Sequence, residues 1–448
     1  MINDTTTESP EGHARRNFWL TAGNGAVVMM GNSFIAPDTV LAWLVYRLTH
    51  SSLCVGLMIS VSAIGMMWPQ LLVGNLVETV QRKMPIYVAF AVFRTLVTIT
   101  MGIVVIFWSG SDWGLFWALF VLFIAFTSGG GASLVPFMDI VAKAVPQKRM
   151  AMLWAYRRLF GGLLGFLVSF AVVYVRSDRS GLVFPVNYGV LFLSTALVCG
   201  VAYAMFGAVR EPIEEVARYR VPFATFLKRG PRILKYDRDF RRLYLYRWAW
   251  ALGAMCQAQL VPFAIDHLDA PEKQAGWFTA VIMFMGGVAS YLWGRITQAR
   301  GETYSMRQCA VILLFSPLLA FGMALSMRSP ALAEFLRAHY FGPFLLMFAL
   351  GTIAINGNMI ASTPYLLSLP RPALRPTYLG FINTLSVPLL CAPILAGVLV
   401  EQFSYAMAFG VSCLCAATAI LIATGLRKRR SGDYPDLKLD VADTITSE

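Results

Sequence analysis

The chain has 448 residues, of which 57% are hydrophobic and only 14% are charged, and its formal net charge is +13. Soluble domains carry about 25% charged residues, so this composition excludes an ordinary soluble protein. The positive charge does not indicate nucleic-acid binding, because the basic residues lie between long apolar runs, as membrane topology requires.

The apolar runs predict an all-α polytopic membrane protein with twelve transmembrane helices. A closed barrel is excluded, because the runs do not alternate between apolar and polar residues. We place spans 1 to 12 at 18–46, 52–77, 85–108, 113–138, 151–175, 186–209, 241–265, 274–296, 305–327, 341–366, 377–401 and 404–426.

The connections between the runs predict five regions. A polar N-terminal tail covers 1–17, and the two groups of six spans cover 18–209 and 241–426. A basic linker at 210–240 is expected to lie on an anionic membrane surface. An acidic tail at 427–448 has the composition of a disordered segment.

The distribution of basic residues predicts the orientation. Placing both termini in the cytoplasm leaves few of the 37 lysines and arginines on the other side, which agrees with the positive-inside rule. The outer connections then contain Arg47, Arg176, Arg179, Lys273, Arg328 and Arg337.

Landmark residues recur at equivalent places in the two halves. Each half has two glycines 18 residues apart around its second span, and a Pro-x-x-Arg motif after its fourth. The glycine pairs are Gly56–Gly74 and Gly276–Gly294, and the motifs are Pro146-x-x-Arg149 and Pro372-x-x-Arg375. This repeat predicts two pseudo-symmetric six-helix bundles.

The connection between spans 2 and 3 reads Gly-Asn-Leu-Val-Glu-Thr-Val-Gln-Arg-Lys, from Gly74 to Lys83. It resembles the loop between helices 2 and 3 of the major facilitator superfamily. Glu78 stands where the family has an aspartate, while Thr79 and Gln81 depart from the family pattern. The resemblance implies a transporter that moves a small solute by rocker-switch alternating access.

The resemblance also implies a conformational latch at the cytoplasmic face. Glu78 would face the start of span 11, Arg82 would pair with Asp139, and Arg149 is a further candidate partner. The alternative is that these charges are solvated anchors of topology.

Polar residues inside spans are costly and therefore suspected of function. In the resembled family, spans 1, 4, 7 and 10 line the central cavity. The candidates for a substrate or ion site are Asn24, Asn32, Asp38, Gln257, Asn356, Asn358 and Arg94. Residues two apart on a helix point about 200° away from each other, so one of each pair, Gln257/Gln259 and Asn356/Asn358, is expected outside the cavity.

Arginines inside or near spans are open to two interpretations. Arg94 lies about 14 Å into span 3, where it either binds an anion or is paired internally or snorkels to the membrane surface. Arg157, Arg158 and Arg247 lie nearer span ends and are interpreted as membrane-surface anchors.

The sequence lacks the motifs of several other classes of protein. The scattered cysteines and histidines predict no metal site, no phosphate-binding loop is present, and no nucleophile–base set indicates an enzyme. Together with the resemblance at Gly74–Lys83, these absences predict a monomeric secondary transporter of the inner membrane, without a cofactor and without nucleic acid. Its partners would be the lipid bilayer and a small-molecule substrate, with a coupling proton or ion left open. The alternative is a membrane sensor, scaffold or assembly factor that retains the fold.

The predicted topology can be tested by cysteine labelling. We expect Ser177→Cys to react with a membrane-impermeant maleimide in intact cells, and Ser431→Cys to react only after the membrane is opened. The parent chain with its seven cysteines is the control. Labelling of Ser431→Cys in sealed cells would contradict the orientation.

Overall fold

The computed structural model describes residues 10–77, 80–212, 233–370, 378, 381–383 and 385–427. These residues form helices and connections, without a strand. Twelve of the helical segments are long and apolar enough to cross a membrane, which confirms the predicted all-α class. Most of the predicted linker and of the predicted C-terminal tail lies outside the described residues.

Most helices agree with the predicted spans to within a few residues, but the first begins eight residues before its predicted start and the helix of span 4 ends six residues after its predicted end. In the first half they are Pro10–Ser33, Ala42–Thr49, Ser52–Val77, Met84–Phe107, Asp112–Ala144, Gln147–Val175 and Val186–Gly207. In the second half they are Arg238–Ala254, Leu260–Leu268, Gln274–Arg300, Glu302–Ser326, Pro330–His339, Phe341–Ser368, Ala392–Gln402 and Tyr405–Thr424. Pro330–His339 is a short additional helix that follows span 9.

Spans 1 and 7 are both interrupted. In span 1 the helix ends at Ser33 and resumes as a π-helical turn, Pro37–Leu41. Proline disfavours the helical conformation of the residue before it, and Ala36 accordingly has an extended ψ of 120°. Span 7 narrows to a 3-10 segment at Met255–Gln259. Such breaks place backbone groups where neighbouring helices or a cavity must satisfy them.

The described residues divide into two compact units. The first contains the described residues of 1–50, 61–217 and 270–287. The second contains those of 51–60, 218–269 and 288–448. The start of span 2 is therefore packed in the second unit, and the start of span 8 in the first.

Aromatic side chains fill the interior of each unit. In the first unit the Phe206 ring packs against Tyr87 and Phe137, with both centroid distances 4.6 Å. In the second, Tyr378 packs on Phe240 at 5.1 Å. The Tyr378 hydroxyl donates to Asp237, which also accepts from the backbone N–H groups of Asp239 and Phe240 at the start of span 7. Helix capping and core packing thus meet at one buried carboxylate.

Two glycines of the repeat, Gly56 and Gly276, lie where one helix packs closely against the backbone of another. A side chain at Gly276 would lie 2.8 Å from Val173 N and 2.9 Å from the Ser169 carbonyl oxygen on span 5. A side chain at Gly56 would overlap with the Pro393 carbonyl on span 11. Each glycine occupies the same position in its half, so the repeat has a packing role: glycine lets two backbones approach closely.

The contact at Gly276 predicts a position-specific cost. Gly276→Ala places its methyl group against span 5 backbone, and overpacking of this kind costs about 1 to 3 kcal/mol. Gly294→Ala on the same helix meets open space. Thermal unfolding of the purified protein in detergent should show a lower Tm for Gly276→Ala and, because alanine has the higher helix propensity, an equal or slightly higher Tm for Gly294→Ala. Equal melting temperatures would show that the contact has no energetic weight.

Candidate functional site

The first unit contains a partly open cavity of about 370 Å³. All of its walls belong to the first six spans, and its polar side chains come from spans 1 to 6. The polar lining consists of Asn24, Asn32, Ser62, Tyr87, Arg94, Thr127, Ser133, Arg157 and Tyr203. Three of the predicted site residues, Asn24, Asn32 and Arg94, are therefore brought together.

Arg94 is held in the cavity by aromatic rings rather than by acids. It lies ten residues into the helix Met84–Phe107, about 15 Å along it. Its guanidinium carbon is 4.6 Å from the centroid of the Phe126 ring and 5.3 Å from that of Tyr203. Within the described part of the chain the guanidinium makes no ion pair, and its buried Nε has no hydrogen-bond partner. The interactions seen are cation–π contacts, each worth about 0.5 to 2 kcal/mol.

Glycines of span 4 make room for Arg94. A side chain at Gly129 would lie 2.8 Å from Arg94 Cγ, and one at Gly130 would lie 3.3 Å from Arg94 Cζ. These glycines belong to a Gly-Gly-Gly run. The run therefore serves to admit a large cationic side chain between spans 3 and 4.

Arg157 is a second cation of the cavity, which corrects its interpretation as a membrane-surface anchor. Its Nη1 donates to the Thr21 carbonyl oxygen at 2.7 Å and to Asn24 Oδ1 at 3.2 Å. Its guanidinium also lies over the Phe137 ring, 4.9 Å from the centroid. A side chain at Gly25 would overlap with Arg157. Inward rotation gives Nη1 of Arg157 two acceptors within the protein, which the hydrocarbon of a membrane could not supply.

The other polar side chains of the cavity differ in how far their hydrogen-bonding groups are already used. Asn24 is fully held, because it also donates from Nδ2 to the Ala202 carbonyl oxygen at 2.8 Å. Asn32 has a single weak contact, 3.9 Å from Cys199 Sγ. The Tyr203 hydroxyl is buried and makes no hydrogen bond to a nitrogen or oxygen of the described residues. The hydrogen-bonding groups that remain available to a solute are thus found mainly on Arg94, Asn32 and Tyr203.

The candidate amides of the second unit do not line this cavity. Gln257 donates to Ser316 Oγ at 2.7 Å, and Asn358 accepts from the Tyr246 hydroxyl at 2.8 Å. Asn356 donates to the Thr352 carbonyl oxygen at 3.0 Å and accepts from Ser290 at 3.4 Å. These contacts join neighbouring helices within the unit. Asp38 is exposed and lies outside the cavity lining.

The charged residues at the start of span 3 and the end of span 4 pair differently from the predicted latch. Asp139 pairs with Lys83 and with Lys143, both at 2.7 Å, whereas Arg82 and Arg149 are exposed. The predicted Arg82–Asp139 pair is wrong by one residue, because Lys83 is the side chain that turns inward. Glu78 lies outside the described residues.

Glu211 holds the same end of span 3, which the sequence did not suggest. Its carboxylate accepts from the backbone N–H of Lys83 at 2.8 Å and from that of Met84 at 2.8 Å. An acid at the first turn satisfies open backbone donors and is favoured by the helix dipole.

A second charge cluster lies at the opposite end of the first unit. Glu272, at the start of span 8, pairs with Arg47 and lies 3.6 Å from Arg176. About two helical turns after Glu272, the hydroxyl of Thr279 lies 2.6 Å from that of Thr39, and both are buried. Together these contacts tie the start of span 8 to spans 1 and 5.

Some of the missed residues left a signal in the sequence. Tyr87, Ala91 and Arg94 follow the i, i+4, i+7 spacing of one helix face, so Tyr87 could have been placed beside Arg94. Arg157 and Tyr203 had no comparable signal. Their participation depends on how spans 5 and 6 are rotated against span 1.

Comparison with known proteins gives matches in structure only. No family model and no curated protein matches the sequence. A point mutant of the nucleoside transporter NupG matches with a TM-score of 0.67 and 11% identity, over 92% of this chain and 98% of that one. An auto-inhibited POT family peptide transporter matches with a TM-score of 0.65 and 11% identity, over 95% of this chain and 100% of that one. A bacterial homologue of the iron transporter ferroportin matches with a TM-score of 0.64 and 14% identity, over 93% of this chain and 99% of that one.

These likenesses cover nearly the whole chain on both sides. At such low identity they show the fold and leave the activity open. The chain is an integral membrane protein with twelve candidate membrane-spanning helices and the fold of these transporters.

Proposed function

We propose that the protein is a secondary active transporter that moves a small solute by alternating access. The observation that carries this proposal is the cavity of about 370 Å³ within the first six spans, lined by two arginines and two asparagines. A charged side chain at the centre of a membrane helix costs about 2.5 to 3.5 kcal/mol on insertion scales. A site that retains two of them, with unfilled space beside them, suits the binding of a solute.

The transporter would act as a monomer in the inner membrane, with both termini in the cytoplasm. The basic residues of the connections support this orientation. In it, the Lys83–Asp139–Lys143 cluster lies at the cytoplasmic end, and the Arg47–Glu272–Arg176 cluster lies at the outer end. Glu78 and Arg149 remain candidates for a cytoplasmic latch. A coupling proton or ion is left open.

In this proposal, the contacts at the start of span 8 hold the outer side of the transporter closed. By sequence it belongs to the predicted C-terminal bundle, yet it packs in the first unit. Rocking of the two bundles would have to break the contacts of Glu272 and of Thr279 with spans 1 and 5. Partly buried charge pairs and one hydroxyl pair are weak enough to break and reform on each cycle.

Transport is tested with purified protein in sealed liposomes. A screen of labelled small solutes should find at least one that is taken up and that exchanges against the same unlabelled solute inside. Empty liposomes and liposomes with the doubly substituted Arg94→Gln/Arg157→Gln protein are the controls. A broad screen without uptake or exchange of any solute would overturn the proposal.

The latch at Glu272 makes a separate prediction. In a chain carrying Thr39→Cys, the new thiol is buried, and Glu272→Gln should increase its rate of alkylation. Loss of about 1 kcal/mol of attraction changes the population of the open form about fivefold. Asp269→Asn is the matched control in the same connection, because Asp269 is exposed and its ion pair among the described residues is with Arg337, at 3.6 Å. Equal alkylation rates in all three chains would rule out Glu272 as a latch.

A further inference from the structure

We propose that the cavity of the first unit binds a small organic anion, with one carboxylate or phosphate group on a compact apolar body. The proposal rests on the transport function above and names the class of solute. It is carried by the charge of the cavity, by its unused hydrogen-bond donors and by its apolar walls.

The charge balance of the cavity is positive. Arg94 and Arg157 both line it, and no aspartate or glutamate is among its lining residues in the described part of the chain. Neither arginine makes an ion pair with another described residue. Two like charges in a medium of low dielectric constant repel each other and lack solvation. An anion between them would supply the missing counter-charge.

The donors of the two arginines are used unequally. Arg157 is fixed by its bonds to Thr21 and Asn24, so its position is set before a ligand arrives. Arg94 is held only by ring faces, and its buried Nε–H donates to none of the described residues. A planar guanidinium matches the two oxygens of a carboxylate or phosphate. The Tyr203 ring lies against the Arg94 guanidinium, and its buried hydroxyl also has no oxygen or nitrogen partner among the described residues.

The remaining walls fit an apolar body. Phe123, Phe126, Phe137, Val28 and Leu134 line the cavity beside the arginines. A bare inorganic ion would leave this surface without contacts. Small-molecule sites typically have about 300 to 1,000 Å³, so a cavity of about 370 Å³ selects a compact solute.

The first arm of the test compares ligands on the unaltered protein in detergent at constant ionic strength. Benzoate and phenyl phosphate carry the two candidate oxyanions, and benzamide is the neutral analogue of benzoate. Isothermal titration should show saturable binding of at least one anion and at least about tenfold weaker binding of benzamide, which corresponds to about 1.4 kcal/mol. The stronger of the two anions identifies the oxyanion. Equal affinity for benzoate and benzamide, with no binding of phenyl phosphate, would overturn the proposal.

The second arm locates the site. Arg94→Gln and Arg157→Gln should each weaken anion binding at least about tenfold, since each removes a charge-assisted hydrogen bond. Arg247→Gln is the control, because Arg247 is a half-buried arginine of span 7 outside the cavity. Unchanged anion affinity in both cavity variants would overturn the proposal.

A glycine pair provides a variant that keeps both charges. Gly25→Ala should displace the Arg157 side chain and weaken anion binding, whereas a side chain at Gly23 meets only the flexible end of Met205 at 2.7 Å. Anion binding that responds equally to Gly25→Ala and Gly23→Ala would count against a preorganised Arg157. The ligand comparison on the unaltered protein decides the question if a variant does not fold.

Failure of this inference and failure of the proposed function give different results. Uptake of a neutral or cationic solute that benzoate and phenyl phosphate do not inhibit would leave a transporter and overturn the anion site. Anion binding that depends on Arg94 and Arg157, without uptake or exchange of any solute, would support the site and overturn transport.

Discussion

The guanidinium groups of Arg94 and Arg157 impose the constraint on which the interior of the first unit depends. A cation within a membrane-crossing helix needs donors to be satisfied and charge to be dispersed inside the protein. The first unit meets this need with the rings of Phe126, Tyr203 and Phe137, and with the Thr21 carbonyl. The space that remains, next to the buried Nε–H of Arg94, is the observation on which the proposed binding site rests.

Glycine is the means by which these large side chains and the closest helix contacts are accommodated. Gly25 and Gly129 open space for arginine side chains, whereas Gly56 and Gly276 let backbones approach. A glycine beside a side chain sets the position of a charge, and a glycine beside a backbone sets the distance between helices. Gly294 has neither use in the structure, although its spacing from Gly276 repeats that of the first half.

The polar groups of the two units have different roles. In the second unit, hydrogen bonds of Gln257, Asn356 and Asn358 join helices to one another. Of the two asparagines that line the cavity of the first unit, Asn24 is used in this way, and it fixes Arg157. A buried amide with satisfied partners contributes to helix packing, whereas one facing a cavity with a single weak contact, as Asn32 does, remains available to a solute. The candidate site is therefore concentrated in the first unit.

The sequence by itself determined the twelve spans, because the length of an apolar run and its lack of alternation are local properties. It also marked Asn24, Asn32 and Arg94 as costly residues, since polarity inside a span is visible without coordinates. Only the tertiary structure decided that Arg157 turns inward, that Lys83 rather than Arg82 meets Asp139, and which amides are occupied. The physical reason is that rotation of a helix about its axis, and the direction of a long side chain, are settled by packing against helices that are distant in sequence.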